Sequence, residues 1–215
     1  MIKAVIFDFN GVVYDSTPYI WKARNQYLES YNIKISDEEI SEMLGMPLKK
    51  QLEIINKKYN LNLNKEYFSN ETREIMYKLM VEDKVKHNPG LLKFIKELKK
   101  YNIKSGIATF MPKKMVEQDL KLLGLENEFL INSTLEDLYD EVSDTKLLLI
   151  QSKKLNAEAN ECLFIDDSIK GIEEAHALGM KTIYIVTRFS PKDYPKADLI
   201  INSFEELNFE AIKIL

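Results

Sequence analysis

The sequence predicts an α/β fold in which a parallel sheet carries helices on both faces and an all-helical segment is inserted after the first strand. Two observations predict it. Short apolar runs rich in β-branched residues alternate with amphipathic stretches along residues 1–16 and 87–215, the order expected of βαβ units. Residues 17–86 break that alternation: they contain no strand-like run, and Leu52, Ile54, Ile55 and Tyr59 recur at helical spacing. The predicted organisation is a sheet domain over 1–16 and 87–215 and a helical domain over 17–86.

Taken in order, the first strand covers residues 2–8, where Val5, Ile6 and Phe7 favour a buried strand over a helical turn. In the helical segment, Asp37 ahead of Glu38-Glu39-Ile40 marks a helix start, because negative charge there complements the helix dipole. Gly45-Met46-Pro47 and the stretch from Asn60 to Asn64 read as breaks between helices. The chain re-enters the sheet domain at His87-Asn88-Pro89-Gly90. Helix 90–101 follows, with Leu91, Leu92, Phe94, Ile95 and Leu98 on one face. Strand 103–109, helix 112–123, a short strand from Phe129 to Asn132 and helix 144–156 come next. Strand 161–166, helix 169–179 and strands 181–186 and 198–202 complete the domain.

The bulk properties exclude several classes. Apolar residues make up 45% and charged residues 30% of the 215, which is the balance of a soluble globule. A net charge of −4 and a pI near 5.4 argue against nucleic-acid binding. The single cysteine, Cys162, excludes a disulfide framework and reads as a packing residue. No run reaches the length of a membrane span and no signal peptide precedes the first strand, so a cytoplasmic protein is expected.

Two strands stop abruptly at acidic residues. Phe7-Asp8-Phe9-Asn10-Gly11 closes the first, and Ile165-Asp166-Asp167-Ser168 closes the one near the chain's end. A carboxylate at the carboxyl end of a buried strand lies where open α/β sheets bind ligands, and burying it is costly unless it is paired or holds a metal. Adjacent carboxylates such as Asp166 and Asp167 repel each other unless a cation lies among them. Mg²⁺ suits such a site, because it takes hard oxygen ligands from a few carboxylates with phosphate and water.

These segments resemble the haloacid dehalogenase superfamily, which has a Rossmann-like core. Residues 3–16 resemble its first motif, Lys104 to Phe110 its second, and Leu163 to Ile172, continuing to Gly179-Met180, its fourth. Together with the helical segment after the first motif, they resemble the subgroup with a C1-type cap, which includes phosphoglycolate phosphatases and β-phosphoglucomutases. The resemblance implies Asp8 as a nucleophile attacking phosphorus, with Asp8, Asp167, the backbone carbonyl of Asn10 and, directly or through water, Asp166 around Mg²⁺. It implies that the Thr109 hydroxyl contacts a phosphoryl oxygen and that a lysine neutralises the phosphoryl group. Alignment puts Val142 where close relatives have that lysine. Lys146, at the start of the next helix, is the choice here, with Lys113 and Lys114 as fallback. The implied function is Mg²⁺-dependent hydrolysis of a small phosphorylated metabolite by a monomer or homodimer, with the cap closing over the site.

Asn10 departs from the pattern. Phosphatases of the superfamily carry a second Asp there as general acid and base, a role that an amide cannot fill. Three readings stand: water or another carboxylate, Asp15 being nearest in sequence, moves the proton; the residue was introduced to trap an intermediate; or the fold serves another end, either binding a phosphorylated ligand or partner without turnover or, as in superfamily members that cleave carbon–halogen or phosphorus–carbon bonds and also lack the second Asp, a non-phosphatase hydrolysis. Phe110 replaces the Asn or Ser of many relatives. Of the remaining residues, His87 reads as a linker residue, His176 as surface or packing, and Trp21 as core. Gly45 and Lys49 read equally as a substrate-contacting loop and as a helix break with a solvated lysine.

Overall fold

Apolar runs without alternation belong to strands covered on both faces, and that is how the chain uses them. The computed structural model describes residues 1–43, 46–129, 131–138, 143–188, 190–191 and 193–215. It divides into two compact units, Met1–Asp15 with Lys86–Leu215, and Ser16–Val85.

The first unit is built on six parallel strands: β1 (Ala4–Phe7), β2 (Lys104–Ala108), β3 (Ile131–Ser133), β4 (Cys162–Asp166), β5 (Lys181–Ile185) and β6 (Leu199–Ile201), in the order β3-β2-β1-β4-β5-β6. β1 is the switch point. The chain winds outward from it in both directions, and Phe7 lies opposite Ile107 of β2 and Ile165 of β4. Ligand sites in such sheets form at that point, beyond the carboxyl ends of the strands.

Successive residues of β1 face opposite layers. Ala4 and Ile6 join a cluster with Leu147, Leu148, Phe164 and Ala175, whereas Phe7 meets Phe94, Phe129 and Phe204 at ring-centroid distances of 6.3, 5.5 and 6.0 Å. The first helix of the sheet domain spans Leu91–Lys100 and buries Leu91, Phe94, Ile95 and Leu98. That is the face its periodicity predicts, except that Leu92 is only half-buried. Cys162 is fully buried at the head of β4, and burial pushes its thiol up to about 11, so it is inert packing. The strand expected over 129–132 differs: β3 is Ile131–Ser133, and Phe129 instead buries its ring against Phe7.

The second unit is helical, with α1 (Thr17–Leu28), α2 (Asp37–Met43), α3 (Leu48–Tyr59) and α4 (Lys65–Glu82). Trp21, Leu28, Leu52, Ile55, Phe68 and Met80 form its interior, with Tyr27 edge-on to Phe68 at 5.1 Å. Ile54, grouped with them by spacing, is exposed. The cap of α2 is Ser36 rather than Asp37: Glu39 N–H donates to Ser36 Oγ and Ser36 N–H donates to Glu39 Oε2 at 3.3 and 2.9 Å, a capping box. Glu39 loses solvation there, but Lys58, Ser36 N–H and Tyr59 hold its carboxyl down at about 2. Asn60, in the left-handed region at φ 52°, ends α3, and Asn64 caps α4 by accepting from Tyr67 N–H. Gly45 lies outside the described residues, and Lys49 is exposed on the first turn of α3. Among the described residues no helix is long and apolar enough to cross a membrane.

The helices of the sheet domain are α5 (Leu91–Lys100), α6 (Lys113–Leu122), α7 (Asp144–Lys154), α8 (Ile169–Ala177) and α9 (Phe209–Lys213).

Candidate active site

Because β1 and β4 are neighbours in register, Asp8 and Asp166 leave the sheet side by side, and Asp8 N–H donates to Ile165 O at 2.9 Å. Asp8, Asp166 and Asp167 each offer a carboxylate oxygen within 4.8 Å of the others. Burial, then the charges of Asp166 and, more weakly, Asp15, push the Asp167 carboxyl well above the usual carboxylate range, against a backbone hydrogen bond that favours its ionised form. Three crowded acids with a strained ionisation equilibrium are the chemistry of a hard divalent-cation site. The donor set fits such an ion.

Asp166 is held by the start of the next helix. Ser168 N–H donates to its Oδ1 at 3.0 Å and Ser168 Oγ donates to its Oδ2 at 2.9 Å, while Gly171 N–H donates to Ser168 Oγ as the cap of α8. A Cβ on Gly171 would lie 1.6 Å from Asp166 Oδ2, and one on Gly11, at φ +84°, would lie 2.2 Å from Asp167 Oδ2. Both glycines are therefore dictated by the carboxylates. In an ordinary helix Gly→Ala gains about 1 kcal/mol. Gly171→Ala should reverse that sign, because Asp166 must turn and abandon both bonds to Ser168; a loss of about 1–3 kcal/mol is expected in urea unfolding.

The turn after Asp8 is fixed from two sides. Gly11 N–H donates to Tyr14 O at 2.9 Å, and Asn10 and Tyr14 form an isolated bridge. From the chain's return to this unit, Asn88 Nδ2 donates to Gly11 O and Val12 O, both at 2.8 Å, and Asn88 N–H donates to Val13 O at 2.9 Å. Fully buried Tyr14 donates its hydroxyl to the equally buried Asp119 on α6 at 3.0 Å. The sequence reading named neither Asn88 nor Asp119 as a site residue. Asp119 had a signal: it interrupts the apolar face formed by Val116, Leu120 and Leu123.

Thr109 emerges from β2 at the same sheet edge as Asp8. It is buried, its N–H donates to Ser133 O at 3.0 Å, and its Oγ1 accepts from Met111 N–H at 3.3 Å, which orients the hydroxyl. Phe110 beside it is 37% exposed. Lys146 sits on the first turn of α7, its N–H capped by Ser143 Oγ at 3.4 Å. That turn is clamped to α8, since Thr145 N–H and Oγ1 donate to Glu174 Oε2 at 2.8 and 2.9 Å. Among the described contacts, none joins the Lys146 side chain to the three aspartates. Lys113 faces Glu117 at 3.9 Å on the surface of α6, and Val142 lies outside the described residues. His87 contacts Asn88 O through Nδ1 at 3.0 Å. His176 is a clamp at the amino ends of the strands, within 2.7 Å of Thr182 Oγ1 and 3.2 Å of Asp198 Oδ2.

The family model of haloacid dehalogenase-like hydrolases matches residues 5–185. The chain is 26% identical to the phosphorylated carbohydrates phosphatase of Thermotoga maritima, over 85% of this chain and 84% of that protein. It is similar in structure to a β-phosphoglucomutase from Clostridium difficile, with TM-score 0.79, 25% identity, and 100% and 96% of the two chains covered. The fold is also that of CbbY from Rhodobacter sphaeroides, crystallised with phosphate: TM-score 0.85, 19% identity, 99% and 100% covered.

Proposed function

The chain belongs to the haloacid dehalogenase-like hydrolases, in their phosphatase branch, and from that premise we propose that it is a Mg²⁺-dependent phosphohydrolase of small organic phosphates. The observation that carries the reading is the meeting of Asp8, Asp166 and Asp167 at the switch point of the sheet. Asp8, Asp166, Asp167 and the backbone carbonyl of Asn10 are the residues that would hold the ion. Mg²⁺ supplies charge neutralisation of the carboxylates and of the phosphoryl oxygens.

In this reading an Asp8 carboxylate oxygen attacks phosphorus, the bond from phosphorus to the ester oxygen breaks, and the alkoxide leaves. The side chain of Asn10 has no proton to give, so the leaving oxygen takes one from water. A second water then attacks the phosphorus of the Asp8 acyl phosphate, releasing inorganic phosphate, restoring the carboxylate and passing its proton to solvent. Thr109 donates its hydroxyl to a phosphoryl oxygen, and Lys146 supplies the positive charge. The helical unit, residues 16–85, is the cap domain. Asn88 and the Tyr14–Asp119 pair hold the turn that carries Asn10.

The test is phosphate release from a chromogenic aryl phosphate, whose leaving group needs little protonation. Turnover is expected with Mg²⁺ and should vanish in EDTA, returning when Mg²⁺ is restored. A chain that binds the aryl phosphate with Mg²⁺ yet releases no phosphate, with or without Asn10→Asp, would instead be a binding protein, the reading that Asn10 itself favours.

A further inference from the structure

Asn10 stands directly before Gly11, and this is the only Asn-Gly pair in the chain. Gly11 lies in the left-handed region at φ +84°, and a Cβ on it would collide with the Asp167 carboxylate, so the acidic cluster demands glycine there. A backbone nitrogen with no side chain beside it can approach the preceding side chain closely. The chain thus carries an amide carbon next to an unhindered nitrogen, at the one position where hydrolysis yields the carboxylate that the turn lacks.

The reaction needs no group other than water. The Gly11 nitrogen, giving its proton to solvent, attacks Cγ of Asn10. The bond from Cγ to Nδ2 breaks, ammonia leaves with a proton from solvent, and a succinimide closes. Water then opens that ring. Addition at Cγ restores the ordinary peptide bond and leaves an aspartate at position 10, whereas addition at the main-chain carbonyl leaves an isoaspartate. The net change is amide plus water to carboxylate plus ammonium.

The turn holds this reaction back. Gly11 N–H donates to Tyr14 O at 2.9 Å, so the attacking nitrogen is committed elsewhere, and Asn88 Nδ2 holds Gly11 O and Val12 O at 2.8 Å each. Attack requires the turn to open locally, a state that the fold populates only in part. Asn10 is half-buried rather than enclosed, so water reaches it once the turn opens. We propose that Asn10 is a self-deamidation site gated by the hydrogen bonds of Tyr14 and Asn88, and that its hydrolysis to aspartate installs the acid–base carboxylate. The second half of this proposal rests on the phosphatase reading, and the first does not. With positioned acid–base catalysis worth ~10²–10⁴-fold, about one converted chain in a hundred would match or exceed the alkyl phosphate turnover of all the others.

The full chain is incubated in EDTA at mildly alkaline pH, folded or in urea. Mass spectrometry of the peptide carrying residue 10 then follows the gain of about 1 Da that marks conversion of an amide to an acid. In urea the gain should appear at Asn10 ahead of every other asparagine, and in the folded chain it should be at least about tenfold slower. Asn88→Ala, still folded by circular dichroism, should speed the folded reaction roughly tenfold, because two bonds to the turn are lost. Asn10→Gln, whose longer side chain cyclises far less readily, should gain no mass there. An absent gain in urea overturns the site, and equal rates in the folded and unfolded chain overturn the gate. Alkyl phosphate turnover, measured after Mg²⁺ is restored, should rise with the converted fraction and stay flat in Asn10→Gln. A mass gain without activity, while Asn10→Asp turns over, means that isoaspartate forms and overturns the functional half. If Asn10→Asp is inactive as well, the phosphatase reading falls and the deamidation site stands.

Discussion

Asp8→Asn is expected to abolish phosphate release from an aryl phosphate, by 10³-fold or more, on the order of what loss of a nucleophile costs other hydrolases. The substitution keeps the size of the side chain and leaves untouched the backbone bond from Asp8 N–H to Ile165 O. It removes one of three acids whose oxygens crowd within 4.8 Å, so the metal-free protein should melt no lower than wild type. That pairing of outcomes matters. Lost turnover with a lower melting temperature would point to damage at the sheet edge, whereas lost turnover with an unchanged or higher one isolates the chemistry. Retained turnover in Asp8→Asn would remove the covalent route altogether. Mg²⁺ affinity should also fall, because an amide oxygen is a poorer ligand than a carboxylate for a hard cation.

The sheet and the acidic cluster were legible because both are written in local patterns. Apolar runs that stop at Asp8 and Asp166 declare buried strands with functional ends, and parallel pairing of β1 with β4 then makes those ends meet. What the sequence could not declare is long-range polar closure. Asn88 reads locally as part of a Pro-Gly turn, yet its two amide protons hold carbonyls of Gly11 and Val12, more than 70 positions earlier. The Tyr14–Asp119 bond spans 105 positions, and only the misplaced charge on the apolar face of α6 hints at it. The cap of α2 was missed for a different, local reason, since Ser36 and Glu39 stand at capping-box spacing in the sequence. Ser36 and Asp37 are both good capping residues, and the choice between them was made by the side chain of Glu39 reaching back. Arg24 has no local signal: only the packing of Trp21 and Gln51 around it withdraws its guanidinium from water.

Asn10→Asp is expected to raise turnover of an alkyl phosphate by ~10²–10⁴-fold, the usual worth of positioned general acid–base catalysis, and turnover of an aryl phosphate by far less. The contrast follows from the leaving group: an alkoxide must be protonated as it departs, whereas a phenolate departs unaided. In the unsubstituted chain the second half of the reaction also lacks a base, so an acid-quenched sample taken during aryl phosphate turnover should carry one phosphoryl group on Asp8. In Asn10→Asp that species should fall below detection by mass spectrometry. The backbone at position 10 is bridged to Tyr14 and its neighbours are tied to Asn88, so the new carboxylate enters a turn that is already set. It also adds a charge to a turn that meets Asp167 at Gly11, and the Asp167 carboxyl is already pushed up by burial and by Asp166. The metal-free variant should therefore be less stable than the unsubstituted chain, and Mg²⁺ should restore the difference by relieving the repulsion. Equal rates on both substrates, before and after the substitution, would mean that the proton already moves by another route. Asp15→Asn in the unsubstituted chain would then decide whether that nearby acid provides it.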